Sequence, residues 1–120
     1  MAQLADEAEL PRRRALIKAL WEFDEAAAGA VPWLLQTLED ADADVRALAA
    51  HALGRIGPDA VAATASLVAL AGDDVPQVRS RAMWALTRIG ADSAITAQVF
   101  LEALMDADPE VMKAGLHGLT

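Results

Sequence analysis

The sequence DADVRALAAHALGRIG, residues 42–57, decides the fold. Its apolar residues recur at i, i+4, i+7, i+8 and i+11, a spacing that places them on one face of an α-helix. They are Val45, Ala49, Ala52, Leu53 and Ile56. Gly57, which tolerates a left-handed helix cap, is followed by Pro58, which cannot continue a helix. The stretch therefore predicts an amphipathic helix that ends at Gly57.

The same pattern returns at residues 75–90. Val45-Arg46 aligns with Val78-Arg79, and Arg55-Ile56-Gly57 aligns with Arg88-Ile89-Gly90. A third copy begins at Val111. An earlier, weaker copy contains Leu16, Ala19, Leu20 and Phe23. Self-similarity with a period of about 33 residues indicates a solenoid of stacked units.

Each copy is preceded by a second apolar stretch, and an acidic turn joins the two. The apolar stretches are residues 31–38, 60–71 and 94–105, and the turns are residues 40–44, 73–77 and 106–110. Carboxylates at such positions favour the start of a helix. We therefore predict units made of a helix A, a turn and a helix B. The predicted division is one domain, 1–120, with a partial first unit at 1–30 and repeats at 31–57, 58–90 and 91–120.

Composition agrees with an all-α protein and limits its chemistry. Hydrophobic residues make up 55% of the 120 residues but aromatic residues only 4%, so the core must consist mainly of small and aliphatic side chains. The absence of cysteine excludes disulfides, thiolate metal sites and a cysteine nucleophile. Neither a membrane-spanning stretch nor a signal-peptide pattern is present, so we expect a cytoplasmic protein.

Residues 42–57 and 75–90 resemble the HEAT-like repeat associated with phycobilisome lyases, in which Val-Arg is followed by paired alanines and Ala-Leu-Gly-x-Ile-Gly. The resemblance implies a right-handed α-α superhelix of about three to four hairpins, with the B helices on the concave surface. It also implies a ladder that pairs Asp42 with Arg46, and Asp73 or Asp74 with Arg79. Met112 in place of the ladder arginine, and the cluster of arginines at 12–14, predict irregular ends.

The charges are segregated along the chain. All ten lysines and arginines fall in helix B segments, although the net charge is −8. A net negative charge argues against nonspecific attraction to nucleic acid or to anionic membrane. The basic residues should instead form a local surface on the B helices.

The repeat register predicts which residues form that surface. Positions 47, 51 and 54 lie opposite the apolar stripe and should face solvent or a ligand. Three columns follow from the register: Lys18, His51, Trp84 and His117; Arg14, Ala47, Ser80 and Lys113; and Trp21, Gly54 and Thr87, with Arg55 and Arg88 beside them.

Trp84 is the leading candidate contact, because a tryptophan with Arg81 and Arg88 within one turn is typical of an interface hot spot. The alternative is that Trp84 packs sideways on the adjacent repeat and covers Met83 and Leu116. Trp21 and Trp33 are assigned mainly to packing.

No catalytic, metal or cofactor pattern is found. His51 and His117 are two repeats apart and are followed by Ala52 and Gly118 rather than by the glutamates of a His-Glu iron site. No nucleophile elbow or phosphate loop occurs. We therefore predict no enzyme activity, no metal and no cofactor.

The predicted function is a scaffold that binds a protein segment of acidic and apolar character on the concave face. The alternatives are a bilin lyase or chaperone-like accessory subunit, and a DNA-binding HEAT-like protein, which the net charge disfavours. No membrane partner is expected, and the protein is predicted to be a monomer or a homodimer formed through exposed terminal repeats.

Overall fold

A computed structural model describes residues 6–20, 28–90 and 94–120. Within these ranges the fold is all-α, with seven α-helices and no strand. The helices are α1 (Asp6–Leu20), α2 (Val31–Thr37), α3 (Ala43–Ile56), α4 (Thr64–Leu70), α5 (Pro76–Ile89), α6 (Ala94–Ala103) and α7 (Pro109–Leu119).

The helices form two layers. Helices α1, α3, α5 and α7 are the predicted B helices and pack on one another in that order, while α2, α4 and α6 are the A helices. The pairs α2–α3, α4–α5 and α6–α7 are hairpins. Helices α3, α5 and α7 begin at Ala43, Pro76 and Pro109, which are separated by equal intervals. The predicted repeat register is therefore the register of the structure.

The second A helix differs from its prediction. After Gly57, residues 57–63 form a 3₁₀ segment, and the α-helix begins only at Thr64. Ala60 in this segment has non-helical angles of φ −95° and ψ 19°. The Thr64 hydroxyl donates a hydrogen bond to the Val61 carbonyl at 2.7 Å, which supports the change from 3₁₀ to α-helix. The chain therefore reverses direction through a tight segment rather than a regular helix.

The predicted apolar stripe is the core. Val45, Val78 and Val111 occupy the same place in three successive repeats and are at most 1% exposed. Leu53 and Leu86 are also buried to that degree. Full burial of each such side chain contributes about 2 kcal/mol, so the stripe supplies much of the stability of the stack.

The glycines predicted to end the B helices do so. Gly57 has φ +80° and Gly90 has φ +76°, a region that side chains with a Cβ rarely adopt. Each glycine N–H donates to the carbonyl four residues earlier, Leu53 and Leu86 respectively. Both predicted helix ends are therefore confirmed.

Positions 47 and 54 were predicted to face solvent, and that prediction is wrong. Ala47 is 2% exposed and Gly54 is buried. The reason is that each B helix contacts an A helix and also a neighbouring B helix, so its buried surface is wider than one stripe. The second and third predicted columns are thus partly an interhelical contact.

The B helices pack on one another more closely than the A helices do. The contact of α3 with α5 and of α5 with α7 is extensive, whereas that between α4 and α6 is slight. That the B helices line the concave side of the stack stays a prediction.

A ladder of arginines and aspartates joins successive repeats. Arg79 bonds to the predicted Asp73 and Asp74 through their backbone carbonyls, at 2.9 and 3.2 Å, but the carboxylates that pair with Arg46 and Arg79 belong to the next turn. Arg46 donates to the two carboxylate oxygens of Asp73 at 3.0 and 3.2 Å, and Arg79 donates to those of Asp106 at 2.8 and 2.9 Å. Arg13 pairs with Asp40 in the same way, with a nearest distance of 3.0 Å. Each arginine thus pairs with an aspartate side chain in the turn of the next repeat, 27 residues ahead.

The ladder also organises the turns themselves. Arg46 donates to the carbonyls of Asp40 and Ala41 at 2.9 and 3.0 Å, so one guanidinium holds its own turn and the next one. Asp42, predicted as the partner of Arg46, instead caps α3 by accepting from the Val45 N–H. Hydrogen bonds from Arg79 and from the Asp108 N–H lower the pKa of Asp106. The ladder carboxylate therefore stays ionised to lower pH.

Arg13 corrects the prediction of an irregular start. It precedes Arg46 by one repeat period and makes the same contact, so the partial first unit is in register at this position. Met112 follows Arg79 by the same interval and cannot form an ion pair. The ladder of the described residues thus ends at the α5–α7 step.

One repeat lacks the side-chain cap that its neighbours have. Asp42 and Asp108 cap α3 and α7, whereas Val75, in the same register position, makes no side-chain cap on α5. We expect Val75→Ser to raise the free energy of unfolding by about 1 kcal/mol relative to Val75→Ala, because serine adds a capping oxygen. Urea denaturation measures this difference. Equal stability of the two variants would contradict it, since both lose the same apolar contact.

Candidate protein-binding face on the B helices

Five side chains on α3 and α5 form what we call the B-face cluster: His51, Arg55, Arg81, Trp84 and Arg88. The rings of Trp84 and His51 stack with their centroids 4.6 Å apart and their planes 9° apart. The Arg88 guanidinium carbon lies 5.6 Å from the centroid of the Trp84 ring, within the range of a cation–π interaction. Arg81 Nη1 is 3.3 Å from His51 Nδ1. Cationic and aromatic groups of two repeats therefore form one connected unit.

Gly54 makes the position of Trp84 possible. It lies on α3 one turn after His51, and a Cβ at this residue would overlap the six-membered ring of Trp84. The absent side chain lets the indole lie flat across α3 while its own helix approaches closely. Trp84 is consequently half-buried rather than fully exposed.

The two predicted roles of Trp84 are therefore not exclusive. It does pack on an adjacent repeat, namely on His51 and Gly54 of the preceding one. Of the two residues that it was expected to cover, Met83 is 2% exposed and Leu116 is 56% exposed. The remaining surface of Trp84 faces the opposite side, toward α7. Its role as a contact for a partner stays a prediction.

His51 is neutral at physiological pH. The pKa of its imidazole is lowered to about 4, with burial as the largest cause, followed by the positive charges of Arg81 and Arg55. A neutral imidazole can accept the Arg81 hydrogen bond at Nδ1, which a protonated one cannot. The charge of the B-face cluster at pH 7 thus comes from its arginines.

A notch of about 270 Å³ lies between α5 and α7, next to the B-face cluster. It is lined by Ser80, Arg81, Trp84, Glu110, Lys113, Ala114 and His117. Lys113 Nζ lies 3.4 Å from Glu110, and both side chains are about three quarters exposed, so their ion pair is a weak surface contact. The notch therefore combines an aromatic wall with exposed charged groups at its rim.

The comparison with known protein families agrees with this architecture. A family model for HEAT repeats matches residues 1–86, nearly three quarters of the chain. The chain belongs to the HEAT-repeat family. Among curated proteins, none matches the sequence. The matched region ends within α5, and the repeat register extends the HEAT architecture to the hairpin α6–α7.

The other predicted site residues of this HEAT protein lie in different surroundings. Lys113 and His117 line the notch, and Lys18 is exposed on α1. Arg14 instead forms ion pairs with Asp42 and Asp44, at 3.3 and 3.1 Å, which join α1 to the first turn of α3. The structure thus brings seven of the nine predicted residues to the B-face cluster and the notch. These are His51, Arg55, Arg81, Trp84, Arg88, Lys113 and His117.

Trp33 does not contribute to this face. Trp33, assigned to packing, is 38% exposed on α2 in the other layer. Trp21 lies outside the described residues. Among the residues that the structure describes, Trp84 is therefore the tryptophan that lies in the layer of B helices.

Sequence reasoning missed the role of Gly54. A glycine inside a helix costs about 1 kcal/mol relative to alanine, so its presence at this position was itself a signal of a close contact. The register offered a second signal, because Thr87 occupies the equivalent place in the next repeat. Gly54 is thus a positioning residue for Trp84.

Two negative findings concern the described residues alone. In the ranges 6–20, 28–90 and 94–120, no group of three or more histidines and carboxylates is placed to hold a metal ion. Over the same residues, no helix has both the length and the hydrophobicity to cross a bilayer.

Proposed function

We propose that this HEAT-repeat protein is a non-catalytic scaffold that binds a protein segment of acidic and apolar character on the inner face of its B helices. HEAT repeats generally mediate protein–protein interaction, which supports the general role. The observation that carries the specific proposal is the B-face cluster beside the notch. Tryptophan and arginine are among the residue types that most often dominate the binding energy of protein interfaces.

The distribution of charge supports an acidic partner. Four of the basic residues, Arg13, Arg14, Arg46 and Arg79, are used in ion pairs with turn carboxylates. Of the other cations, Arg81 and Arg88 lie in the B-face cluster, and Lys113 lies at the notch in a weak, exposed pair with Glu110. Lys18 is exposed on α1. The turn carboxylates lie at one end of the B helices and would repel an acidic segment that docked there. Complementary charges of this kind favour one position and increase the association rate.

The two alternative functions make different predictions. A bilin lyase or chaperone-like accessory subunit would change the absorbance of an added bilin, and a DNA-binding HEAT protein would bind oligonucleotides with a steep dependence on salt. Ion pairs with turn carboxylates weaken the DNA alternative, because the three ladder arginines and Arg14 together make four of the ten basic residues that are neutralised in this way. Nothing that distinguishes a lyase is seen among the described residues.

Arg81→Ala with Arg88→Ala tests the proposal. In quantitative affinity capture from the native cell, we expect this double variant to retain at least tenfold less of each specific partner than the wild-type protein retains. The reason is that two cations that flank Trp84 are lost. The charge-matched control is Ala65→Glu with Ala69→Glu, at two exposed positions of α4 in the other layer. It shifts the net charge from −8 to −10 as well.

Only the B-face variant should lose its partners. Equal retention of the same proteins by the wild-type protein and both variants would contradict a binding site at the B-face cluster. Circular dichroism of both variants checks that the helical stack is intact.

A further inference from the structure

Two grooves of the stack are equivalent in register but are filled differently. In the groove between α3 and α5, Trp84 lies against the His51 ring and over Gly54. In the groove between α5 and α7, the residue equivalent to Trp84 is His117, which is exposed, and the notch of about 270 Å³ remains open. The molecule itself therefore shows what this type of groove holds when it is filled. The filled groove holds the Trp84 ring, stacked on the His51 ring of the preceding B helix.

We propose that the notch between α5 and α7 is a binding site for a single aromatic ring, the side chain of a phenylalanine or tyrosine in an acidic segment of the partner. The proposal rests on the proposed function and specifies its partner. The ring would lie on Trp84 as Trp84 lies on His51, and would continue the stack by one member. Offset-stacked aromatic pairs of this kind gain affinity beyond the area that they bury.

The residue equivalent to Gly54 sets the size of the ring. By the repeat register that residue is Thr87, which has a side chain where Gly54 has none and which lines the adjoining pocket with Leu86 and Gly90. Its hydroxyl donates to the Met83 carbonyl at 3.0 Å, which holds the side chain against its own helix. The six-membered ring of Trp84 lies where a Cβ at Gly54 would be, so by the same register an indole that reached this far beyond the notch would meet Thr87. A phenyl or phenol ring lacks the second ring that would extend there. The site therefore selects phenylalanine and tyrosine over tryptophan.

The charges at the rim determine what flanks the ring. Arg81 lines one wall and Lys113 the other, and Arg88 lies at the Trp84 ring. Of the described residues that line the notch, Glu110 alone is acidic, and it is paired with Lys113. Carboxylates before and after the aromatic residue would meet Arg81, Arg88 and Lys113. The recognised chemistry is thus an aromatic residue between aspartates or glutamates.

Binding of five synthetic peptides to the wild-type chain tests the site. The probes are acetylated and amidated pentapeptides with the sequences DEFED, DEYED, DEWED, DELED and DEAED, which differ in the central residue alone. The signal is the shift of the Trp84 indole N–H in NMR spectra, assigned by its loss in Trp84→Phe. We expect DEFED and DEYED to bind at least tenfold more tightly than DEAED, and DEWED more weakly than DEFED.

Two variants test the geometry from the protein side. Thr87→Gly reproduces the space at Gly54, so it should admit the larger ring and bind DEWED at least as tightly as DEFED. Thr87→Gly combined with His117→Trp supplies both elements of the filled groove, so its own indole should occupy the notch and reduce DEFED binding at least tenfold. Circular dichroism and the retained stacking of Trp84 on His51 verify folding.

The outcomes separate this proposal from the proposed function. Equal, salt-sensitive binding of all five peptides would overturn the aromatic site and leave an acidic-segment site on the same face. Absence of any Trp84 shift at millimolar peptide would also overturn the aromatic site, and the capture experiment with Arg81→Ala and Arg88→Ala would then decide the proposed function independently. DEFED binding that is unchanged in the filled-notch variant would place the ring elsewhere.

Discussion

Gly54→Leu will lower the free energy of unfolding by about 4 kcal/mol, because leucine would occupy the space of the Trp84 ring. Already a Cβ at this residue would overlap that ring and lie 3.0 Å from the Ala85 Cα, which belongs to the backbone of α5. Helices α3 and α5 would have to separate along their most extensive contact. Leucine is a better helix former than glycine, so the loss cannot arise from helix propensity. Urea denaturation of both proteins measures it.

The control for this prediction is a double-mutant cycle with Trp84→Ala. In that background the cost of Gly54→Leu should fall by about 2 kcal/mol, because the leucine enters the space left by the ring. The same cost in both backgrounds would show that Trp84 does not depend on Gly54. If Gly54→Leu alone does not fold, recovery of the folded state in the double variant supplies the same information.

Displacement of Trp84 should also be visible at His51. Stacking under the indole buries the imidazole, and burial is the main reason that its pKa is about 4. With the ring displaced, the pKa should rise toward the ordinary value of about 6.5. NMR titration of His51 in Gly54→Ala, a milder substitution that should remain folded, measures this shift. An unchanged pKa would contradict displacement of the ring.

Arg46→Met will lower the free energy of unfolding by about 3 kcal/mol, because it removes the two charge-assisted hydrogen bonds to Asp73 and leaves that carboxylate without its cation. The side chains of Arg46 and Asp73 are 17% and 12% exposed, so water replaces the lost contacts incompletely. The substitution also releases the carbonyls of Asp40 and Ala41. Methionine is also the residue that the chain has at position 112, which is equivalent to position 46 in the repeat register. Thermal and urea denaturation measure the loss.

Arg12→Met is the matched control, since it makes the same change at an exposed position of α1. A surface substitution of this kind should alter stability by less than about 0.5 kcal/mol. The cycle of Arg46→Met with Asp73→Asn should show a coupling energy above about 1 kcal/mol. A loss below about 1 kcal/mol for Arg46→Met would mean that the ladder orients the repeats without stabilising them.

The features that follow from local pattern could be predicted from the sequence. The B helices and the glycines that end them depend on residues within about four positions of one another. The burial of Val45, Val78 and Val111 follows from their recurrence on one helical face. The repeat register follows from the similarity of the chain to itself, and it places His51, Trp84 and His117 in one column.

The partners across repeats could not be predicted in this way. The carboxylates that pair with Arg46 and Arg79 were expected in the arginines' own turns but lie in the next ones, because the sequence does not state how far one hairpin is displaced along the next. Ala47 and Gly54 were placed on the open surface, because a helical wheel does not show which side of a helix a neighbouring helix will cover. The wide contact of α3 with α5 determines both the turn that Arg46 reaches and the burial of Ala47 and Gly54.

The amino-acid sequence by itself thus determined the B helices, the glycines that end α3 and α5, the order of the helices and the set of residues that recur in each unit. These properties depend on interactions along one helix and on periodicity, which are present in the chain before it folds. The tertiary structure alone decided that Trp84 lies on His51 and over Gly54, that Arg46 holds the next turn as well as its own, and that an open notch remains between α5 and α7. These properties depend on the stagger and spacing of neighbouring helices. Stagger and spacing are in turn set by the packing of side chains that are distant in sequence.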